Sequence, residues 1–191
     1  MRILCISDLH SQLKNNEIEV IKAGHYDLCL CLGDIPKQAL DNIISNLDVP
    51  IMGVMGNHDD PRFFDGLPII NLHNKNVGFG NLRFAGIEGS NRYKQGNYVM
   101  HSQEEIHQVY RNLQKADILV SHDTGYQYLG KDNAHIGFKG ISKYIFWKRP
   151  KLHIFGHYHQ PMKFKKGSTT CICVYRCCLI DTDIKEFQQL F

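Results

Sequence analysis

The sequence has no long apolar run, no strong charge imbalance and no low-complexity tract. No apolar stretch approaches the roughly 18 residues needed to cross a bilayer, so we expect no membrane-spanning helix. The 22 basic and 19 acidic side chains leave a formal net charge of +3 at pH 7, which is too small to indicate a nucleic-acid or membrane-surface protein. Without a repeat or a linker, residues 1–191 are predicted to form a single domain.

The cysteines do not form the even-numbered framework of a disulfide-stabilised protein, because there are seven of them. Most lie in strand-like runs, where a free cysteine packs as a small apolar side chain. The spacing in Cys171-Ile172-Cys173 and in Cys177-Cys178 is not that of a structural zinc site. Residues 1–7 resemble a strand rather than a signal peptide, so we expect a cytoplasmic protein in a reducing compartment.

Five short apolar runs are present, and each ends at a residue type that binds metals. Runs of this length are typical of buried strands. In open α/β sheets, ligands bind at the loops that follow the carboxyl ends of the strands. The segments that follow these runs are Asp8-Leu9-His10, Asp34, Asn57-His58-Asp59, His122 and His157-Tyr158-His159. Together they predict a metal site at one sheet edge, and we expect it to hold two metals.

The order of the predicted elements favours an α/β fold. Helices are predicted over 12–23, 36–47, 103–116 and 139–147. Strands are predicted over 2–7, 27–32, 51–55, 77–79, 82–87, 118–121, 152–155, 162–165, 169–175, 177–181 and 184–187. Strand–helix units followed by a β-rich end predict two mixed β-sheets packed face to face with helices outside, in a strand order that the sequence leaves open.

The ligand types fit the hydrolysis of a phosphate ester. The reaction needs positive charge at the phosphoryl oxygens and a nucleophilic water near neutral pH, and two divalent cations about 3.5–4 Å apart supply both. Asp34, alone after its strand, is the candidate bridge between them. Mixed nitrogen and oxygen ligands disfavour calcium. We expect manganese, with iron, zinc, cobalt or nickel as alternatives.

His58 remains as a candidate catalytic acid. A histidine at the mouth of such a site can protonate the leaving alkoxide. The neighbouring carboxylate of Asp59 is predicted to hold the His58 ring and to raise its pKa. For substrate binding, the candidates are Asn57 and Arg92, since a guanidinium in a glycine-rich loop suits a phosphate.

Five motifs in order resemble those of the calcineurin-like metallophosphoesterase superfamily. They are Asp8-Leu9-His10, Gly33-Asp34, Gly56-Asn57-His58-Asp59, Ser121-His122 and Gly156-His157-Tyr158-His159. The segments 89–94 and 135–139 resemble those of its small bacterial and phage single-domain members. The resemblance implies a four-layer α/β/β/α sandwich.

The resemblance also implies a division of the ligands. One metal would be held by Asp8, His10, Asp34 and His159. The other would be held by Asp34, Asn57, His122 and His157. His58 would be the general acid with Asp59 as its partner, and a hydroxide that bridges the metals would be the nucleophile.

We therefore expect a dinuclear metal-dependent phosphoesterase with a small nucleotide or diester as substrate. The chain has no cap domain to enclose a large substrate, so a phosphodiesterase is preferred to a phosphomonoesterase; a nucleic-acid substrate has weak support. The alternative from another class is a metal-binding scaffold for protein interactions with little catalysis. Compact members of the superfamily of that kind lack the acid histidine or a ligand, whereas all are present here.

Some residues are left without a role in this prediction. The other histidines of loops and helices are expected to be surface or capping groups, and these are His25, His73, His101 and His107. The oligomeric state and the possibility that residues 123–137 form a lid stay open.

Overall fold

The computed structural model describes residues 1–183 and 186–191. The helices are α1 (Asn15–Ala23), α2 (Lys37–Asn46), α3 (Gln103–Asn112) and α4 (Lys139–Lys148). The strands are β1 (Arg2–Ser7), β2 (Leu28–Cys31), β3 (Ile51–Gly53), β4 (Ile69–Asn71), β5 (Asn76–Phe79), β6 (Leu82–Ile87), β7 (Ser90–Asn91), β8 (Met100–His101), β9 (Ile118–Ser121), β10 (Leu152–Phe155), β11 (Met162–Lys166), β12 (Thr169–Cys173), β13 (Arg176–Asp181) and β14 (Glu186–Gln189). Across these described residues, no helix combines the length and the apolar character needed to cross a membrane.

In the described part of the chain, the strands form two six-stranded sheets and one short pair. The first sheet has the order β14-β13-β1-β2-β3-β4, and the second has the order β11-β12-β10-β9-β6-β5. The strands β1 to β4 run parallel, and β13 pairs antiparallel with β1. In the second sheet β12, β10, β9 and β6 run parallel, while β11 and β5 are antiparallel edge strands. Both sheets are mixed, as predicted.

Alternation along β1 shows how the layers are stacked. Ile3 and Cys5 point into an apolar cluster that also contains residues of the second sheet, so this cluster lies between the two sheets. Leu4 and Ile6 point to the opposite face, where they pack with residues of α1 and α2. On the far side of the second sheet, Leu119 lies in a cluster with residues of α3 and α4. The predicted four-layer α/β/β/α sandwich is confirmed.

The cysteines take part in these clusters as apolar side chains. All seven are free and buried. Their burial agrees with the expectation from the sequence. Desolvation raises the pKa of the Cys171 thiol to about 12 and holds the pKa of the Cys173 thiol far above its usual range, so both stay protonated.

Several boundaries differ from the predicted ones. Helix α1 begins at Asn15 rather than at residue 12, because Leu13 packs into the core and the amide of Lys14 donates to the Glu17 carboxylate at 2.8 Å. Helix α3 ends at Asn112 rather than at residue 116, and the amide of Gln114 then donates to Asn76 Oδ1 at 2.9 Å. The short strands β4, β7 and β8 were not predicted. The strand predicted over 184–187 falls partly on residues 184 and 185, which lie outside the described residues.

Candidate metal centre

The loops that follow the strands of both sheets meet at one edge. Asp8 follows β1, Asp34 follows β2 and His122 follows β9. One ligand atom from each of these three side chains lies within 4.8 Å of the others. Asp8 and His122 are fully buried, and the side chain of Asp34 is 7% exposed. The sheet edge thus brings together two carboxylates and an imidazole with little access to water.

Four of the predicted ligands have a left-handed backbone conformation. The φ angles are 53° at Asp8, 54° at Asp34, 72° at His157 and 50° at His159. This region costs a residue other than glycine about 1–2 kcal/mol. The surrounding contacts hold at least one of these turns, because the amide of His157 donates to Asp8 Oδ2 at 2.8 Å. Backbone strain is therefore concentrated at the candidate site.

The glycines of two motifs make room for the carboxylates. A Cβ atom at Gly56 would collide with Asp34 Oδ1. A Cβ atom at Gly156 would collide with the hydroxyl of Ser7 and lie 2.6 Å from Asp8 Oδ2. Glycine is required at both positions because the loops pass so close to these side chains.

One set of ligand positions, which we call the inner group (Asn57, His122 and His157), is deeply buried. His122 Nε2 lies 3.0 Å from Asn57 Oδ1 and 3.4 Å from Asp34 Oδ2. His122 Nδ1 lies 2.7 Å from the carbonyl oxygen of Leu32, so Nδ1 donates its proton there and Nε2 faces the ligand cluster. A carbonyl partner of this kind fixes the tautomer of a metal-binding histidine.

His157 is oriented in a similar way. Its Nε2 lies 2.9 Å from the carbonyl oxygen of Ala134, which leaves Nδ1 as the nitrogen available to a ligand. The rings of His122 and His157 are 5.0 Å apart. The amide nitrogen of Asn57 is buried without a hydrogen-bond partner among the described residues. The donors of the inner group therefore suit a cation held by imidazole nitrogen and carboxylate or amide oxygen.

The second set, which we call the outer group (Asp8, His10 and His159), is more open. Asp8 Oδ1 lies 3.3 Å from His159 Nε2. The other oxygen, Oδ2, accepts hydrogen bonds from the Ser7 hydroxyl at 2.5 Å and from the amide of His157. The rings of His10 and His159 meet edge to face at 4.4 Å. The side chain of His159 is 48% exposed.

Opposite charges dominate the electrostatics of this edge. Burial would raise the pKa of Asp34, but the attraction of His122 and a hydrogen bond from the amide of His58 hold that pKa far below its usual range. Burial likewise opposes a charge on His122, yet Asp34 and then Asp8 raise the pKa of His122 to about 10. The carboxylates thus stabilise positive charge at the point where the inner group converges, which is what a cation site requires.

His58 and Asp59 lie beside the cluster, but they are not paired with each other. The amide of His58 donates to Asp34 Oδ1 at 2.8 Å, and its exposed ring lines a cleft of about 400 Å³ together with His10, Asp34 and Phe63. Asp59 Oδ2 accepts the amides of Gly56 at 2.7 Å and Asp34 at 3.0 Å. Among the hydrogen bonds of the described residues, none joins Asp59 to the His58 ring. The predicted contact between Asp59 and the His58 ring is corrected accordingly, because two backbone amides hold the Asp59 carboxylate through Oδ2.

Asp59 is itself unusual in its ionisation. Burial, and then the nearby charge of Asp34, raise the pKa of Asp59 to about 7, although the two amide donors oppose this shift. Its carboxylate ties the Asp34 loop to the Asn57 loop.

The guanidinium of Arg92 contacts the start of α3, while half of its side chain stays exposed. One nitrogen, Nη2, donates to Glu105 Oε2 at 2.9 Å and to the carbonyl oxygen of Met100 at 3.1 Å. Glu105 in turn accepts the amide of Ser102 in the capping box that begins α3. This contact supports the start of α3, and phosphate binding by Arg92 stays a prediction.

Other residues of the centre were not predicted. Ser7 could have been found from its position before Asp8, but the carbonyl groups of Leu32 and Ala134 leave no mark in the side-chain pattern. Asp123 is fully buried beside the ligand loops and accepts the hydroxyl of Tyr158 at 3.3 Å. Lys37, at the start of α2, lines the cleft.

Residues 1–174 match the family described as the calcineurin-like phosphoesterase superfamily domain. The chain belongs to this family. Members of this superfamily use divalent metals. Membership therefore supports the prediction that the chain is a metal-dependent phosphoric ester hydrolase. A relative in Methanocaldococcus jannaschii, called "Uncharacterized protein MJ1162", is 29% identical over 192 aligned residues, which cover 90% of this chain and 86% of the relative.

Solved structures share the fold of this superfamily member at low identity. TT1561 of Thermus thermophilus has a TM-score of 0.67 and 13% identity, with 98% of this chain and 96% of that chain covered. A novel archaeal phosphodiesterase has a TM-score of 0.56 and 17% identity, with 98% of each chain covered. These likenesses show the architecture, and the chemistry rests on the residues of the site.

Proposed function

We propose that this chain is a dinuclear metal-dependent phosphoesterase that cleaves a small nucleotide or another small phosphodiester. The observation that carries this proposal is the convergence of Asp8, Asp34 and His122 within 4.8 Å at the edge where both sheets end. Two groups of nitrogen and oxygen donors flank Asp34, and the buried carboxylates of Asp34 and Asp8 favour positive charge. Such a set fits two divalent cations better than one.

The ligands divide between the two cations around the shared carboxylate of Asp34. The inner group would hold one cation together with Asp34, and the outer group would hold the other. Bound there, the cations would supply positive charge to the phosphoryl oxygens and activate water near neutral pH. Manganese is the metal we favour, since the donors mix imidazole with carboxylate and amide oxygen.

His58 would donate the proton to the leaving oxygen. Its ring is exposed at the cleft, while its amide is fixed to Asp34 Oδ1 at 2.8 Å, so the acid is anchored to the shared carboxylate. Asp59 is a positioning residue in this proposal, because it joins the amides of Asp34 and Gly56. Asn57, placed 3.0 Å from His122, would act as a ligand and border the phosphoryl group.

The cleft favours a small substrate. It has a volume of about 400 Å³, is open on one side, and offers the side chains of Lys37, His58 and Phe63 beyond the ligands. This is room for a nucleotide-sized molecule. The proposal of a diester rests on this open cleft, since the archaeal phosphodiesterase shares the fold alone.

The test compares bis-p-nitrophenyl phosphate with p-nitrophenyl phosphate after chelation and addition of Mn²⁺. We expect metal-dependent cleavage of the diester to exceed that of the monoester. Asp34→Asn should abolish turnover, while Asp65→Asn, a matched change at an exposed position, should keep it. Preference for the monoester would replace the diesterase by a phosphatase. Absence of turnover in metal-loaded protein would overturn the proposed phosphoesterase activity and favour a binding scaffold.

A further inference from the structure

A second group of metal-type side chains lies outside the candidate metal centre. His73 follows β4, Glu88 follows β6 and His101 lies in β8, and we call them the His73–Glu88–His101 cluster. One ligand atom of each lies within 4.8 Å of the others. Glu88 is 8% exposed, while the side chains of His73 and His101 are 21% and 22% exposed. The two histidines were expected at the surface, so their partial burial around a carboxylate needs another explanation.

The nitrogens of His73 are already assigned by their contacts. Nδ1 accepts the amide of Glu88 at 3.1 Å. In a neutral imidazole the proton must then be on Nε2, which lies 3.8 Å from Glu88 Oε1. One side of the His73 ring thus holds the backbone of Glu88 and the other faces its carboxylate, and His73 has no lone pair left for a cation.

The other two members each have an unsatisfied atom. Glu88 Oε2 and His101 Nε2 are buried without a hydrogen-bond partner among the described residues. A buried polar atom left unpaired costs about 1–3 kcal/mol. His101 Nε2 lies 3.5 Å from Glu88 Oε1, and the ring of His101 stacks on His73 with centroids 5.3 Å apart and planes 7° from parallel. A carboxylate and an imidazole nitrogen therefore converge, held in place by the third side chain.

We propose that Glu88 and His101 bind a further divalent transition-metal ion, with His73 as the positioning residue of Glu88. The ligands are the carboxylate of Glu88 and Nε2 of His101, and water completes the coordination on the side open to solvent. One imidazole and one carboxylate suit Zn²⁺, Mn²⁺ or Co²⁺ rather than Ca²⁺. No motif of the dinuclear centre includes these residues.

The cluster adjoins the candidate metal centre. The amide of Gly89, next to Glu88, donates to the carbonyl oxygen of Met55 at 2.8 Å, one residue before the motif that carries Asn57 and His58. A cation held by Glu88 and His101 would therefore add positive charge beside the loop that borders the cleft. The inference stands on its own residues and does not depend on the proposed function.

The experiment counts zinc ions per chain after equilibrium dialysis, by metal analysis of folded protein. Glu88→Gln and His101→Gln should each remove one ion relative to the parent chain. Glu104→Gln and His107→Gln on α3 are matched controls and should remove none. If Glu88→Gln fails to fold, His101→Gln decides, and an unchanged count in the folded variant would overturn the site.

Two further variants separate this site from the dinuclear centre and test the part of His73. Asp34→Asn should lower the count by ions other than the one lost with Glu88→Gln, so the two losses should add in the double variant. If Asp34→Asn loses nothing while Glu88→Gln still loses one ion, the proposed function fails and this site stands.

His73→Phe should weaken zinc binding by roughly 10–100-fold without lowering the count at saturation. Loss of the ion at saturation would instead make His73 a ligand and overturn its positioning role.

Discussion

The inner and outer groups of the candidate metal centre contain similar ligands in different surroundings. In the inner group, His122 is fully buried and Asn57 is 1% exposed, and backbone carbonyl groups fix the nitrogens of His122 and His157. In the outer group, His159 is 48% exposed, and the exposed ring of His10 lies against the rings of His159 and Tyr175. Side chains that are already oriented lose less freedom when they bind. We therefore expect the inner cation to bind tightly and the outer cation to exchange.

The largest effect should come from a change at Asp34, because its carboxylate would be shared by the inner and the outer cation. Asp34→Asn removes the shared carboxylate charge, so both cations should be lost. Loss of a residue that only hydrogen-bonds to a metal ligand typically lowers activity by roughly 10–100-fold, and the fall in turnover of Asp34→Asn should be larger. Metal analysis of the purified variant, with Asp65→Asn alongside, checks this. Two retained ions in Asp34→Asn would show that Asp34 is not shared.

The next effect concerns His58, which should leave both cations in place. His58→Gln should keep the metal content of the parent chain, because the His58 ring is exposed at the cleft. Loss of a general acid should reduce turnover by about 10²–10⁴-fold on diesters with poor leaving groups. Nitrophenyl diesters need little protonation of their leaving group, so their turnover should change far less. Equal losses on both kinds of substrate would contradict the role of an acid.

The comparison itself is tested by paired changes at one ligand of each group. His122→Gln should abolish binding of the inner cation, and added Mn²⁺ should not restore turnover, since the fixed nitrogen is gone. His159→Gln should raise the Mn²⁺ concentration needed for half-maximal turnover, and excess Mn²⁺ should restore the rate. The measurement is turnover as a function of Mn²⁺ concentration for both variants. The reverse result would mean that burial does not set the order of affinity.

The smallest effect lies outside both groups, at the capping box of α3. A backbone hydrogen bond from Ser102, and then the contact with Arg92, lower the pKa of Glu105 to about 2. Since the folded state lowers this pKa, Glu105 stabilises the fold above the ordinary glutamate pKa of about 4.3, and the contribution is lost as the pH falls toward 2.

Glu105→Gln should therefore cost less than about 1 kcal/mol at pH 7, because the pair is exposed. The difference from the parent chain should disappear as the pH approaches 2. Thermal unfolding of Glu105→Gln and of the neighbouring control Glu104→Gln across this pH range measures it. A difference that grew with acidity would contradict the sign of the pKa shift.

The carboxylates and imidazoles of the centre could be predicted from their positions in the sequence. Asp8, Asp34 and His122 each follow a buried apolar strand, and parallel strands end at the same sheet edge, so their meeting follows from topology. The four layers followed from the same alternation of strands and helices. The strand order did not, since long-range pairing such as that of β13 with β1 has no local signal.

The contact predicted for Asp59 was wrong, and the structural contacts of Arg92 were not predicted, for a common physical reason. Asp59 was assigned to the neighbouring ring, and Arg92 to a phosphate, because charge and adjacency are visible in a sequence. Their partners include backbone groups, namely the amides of Gly56 and Asp34 and the carbonyl oxygen of Met100. Groups of this kind occur all along the chain, so the sequence does not single out the ones that bind. Only the folded chain shows which of these groups is near enough to compete. The same limit hid the carbonyl groups that orient His122 and His157.

The left-handed residues at the sheet edge link the metal to the stability of the fold. Asp8, Asp34, His157 and His159 store conformational energy in positions where their side chains face one another. A ligand that binds only the folded chain shifts the folding equilibrium by RT ln(1 + [L]/Kd). The cations would thus repay a cost that the polypeptide alone carries. Metal loading would then be linked to folding, and the melting temperature of this chain would rise with the concentration of metal.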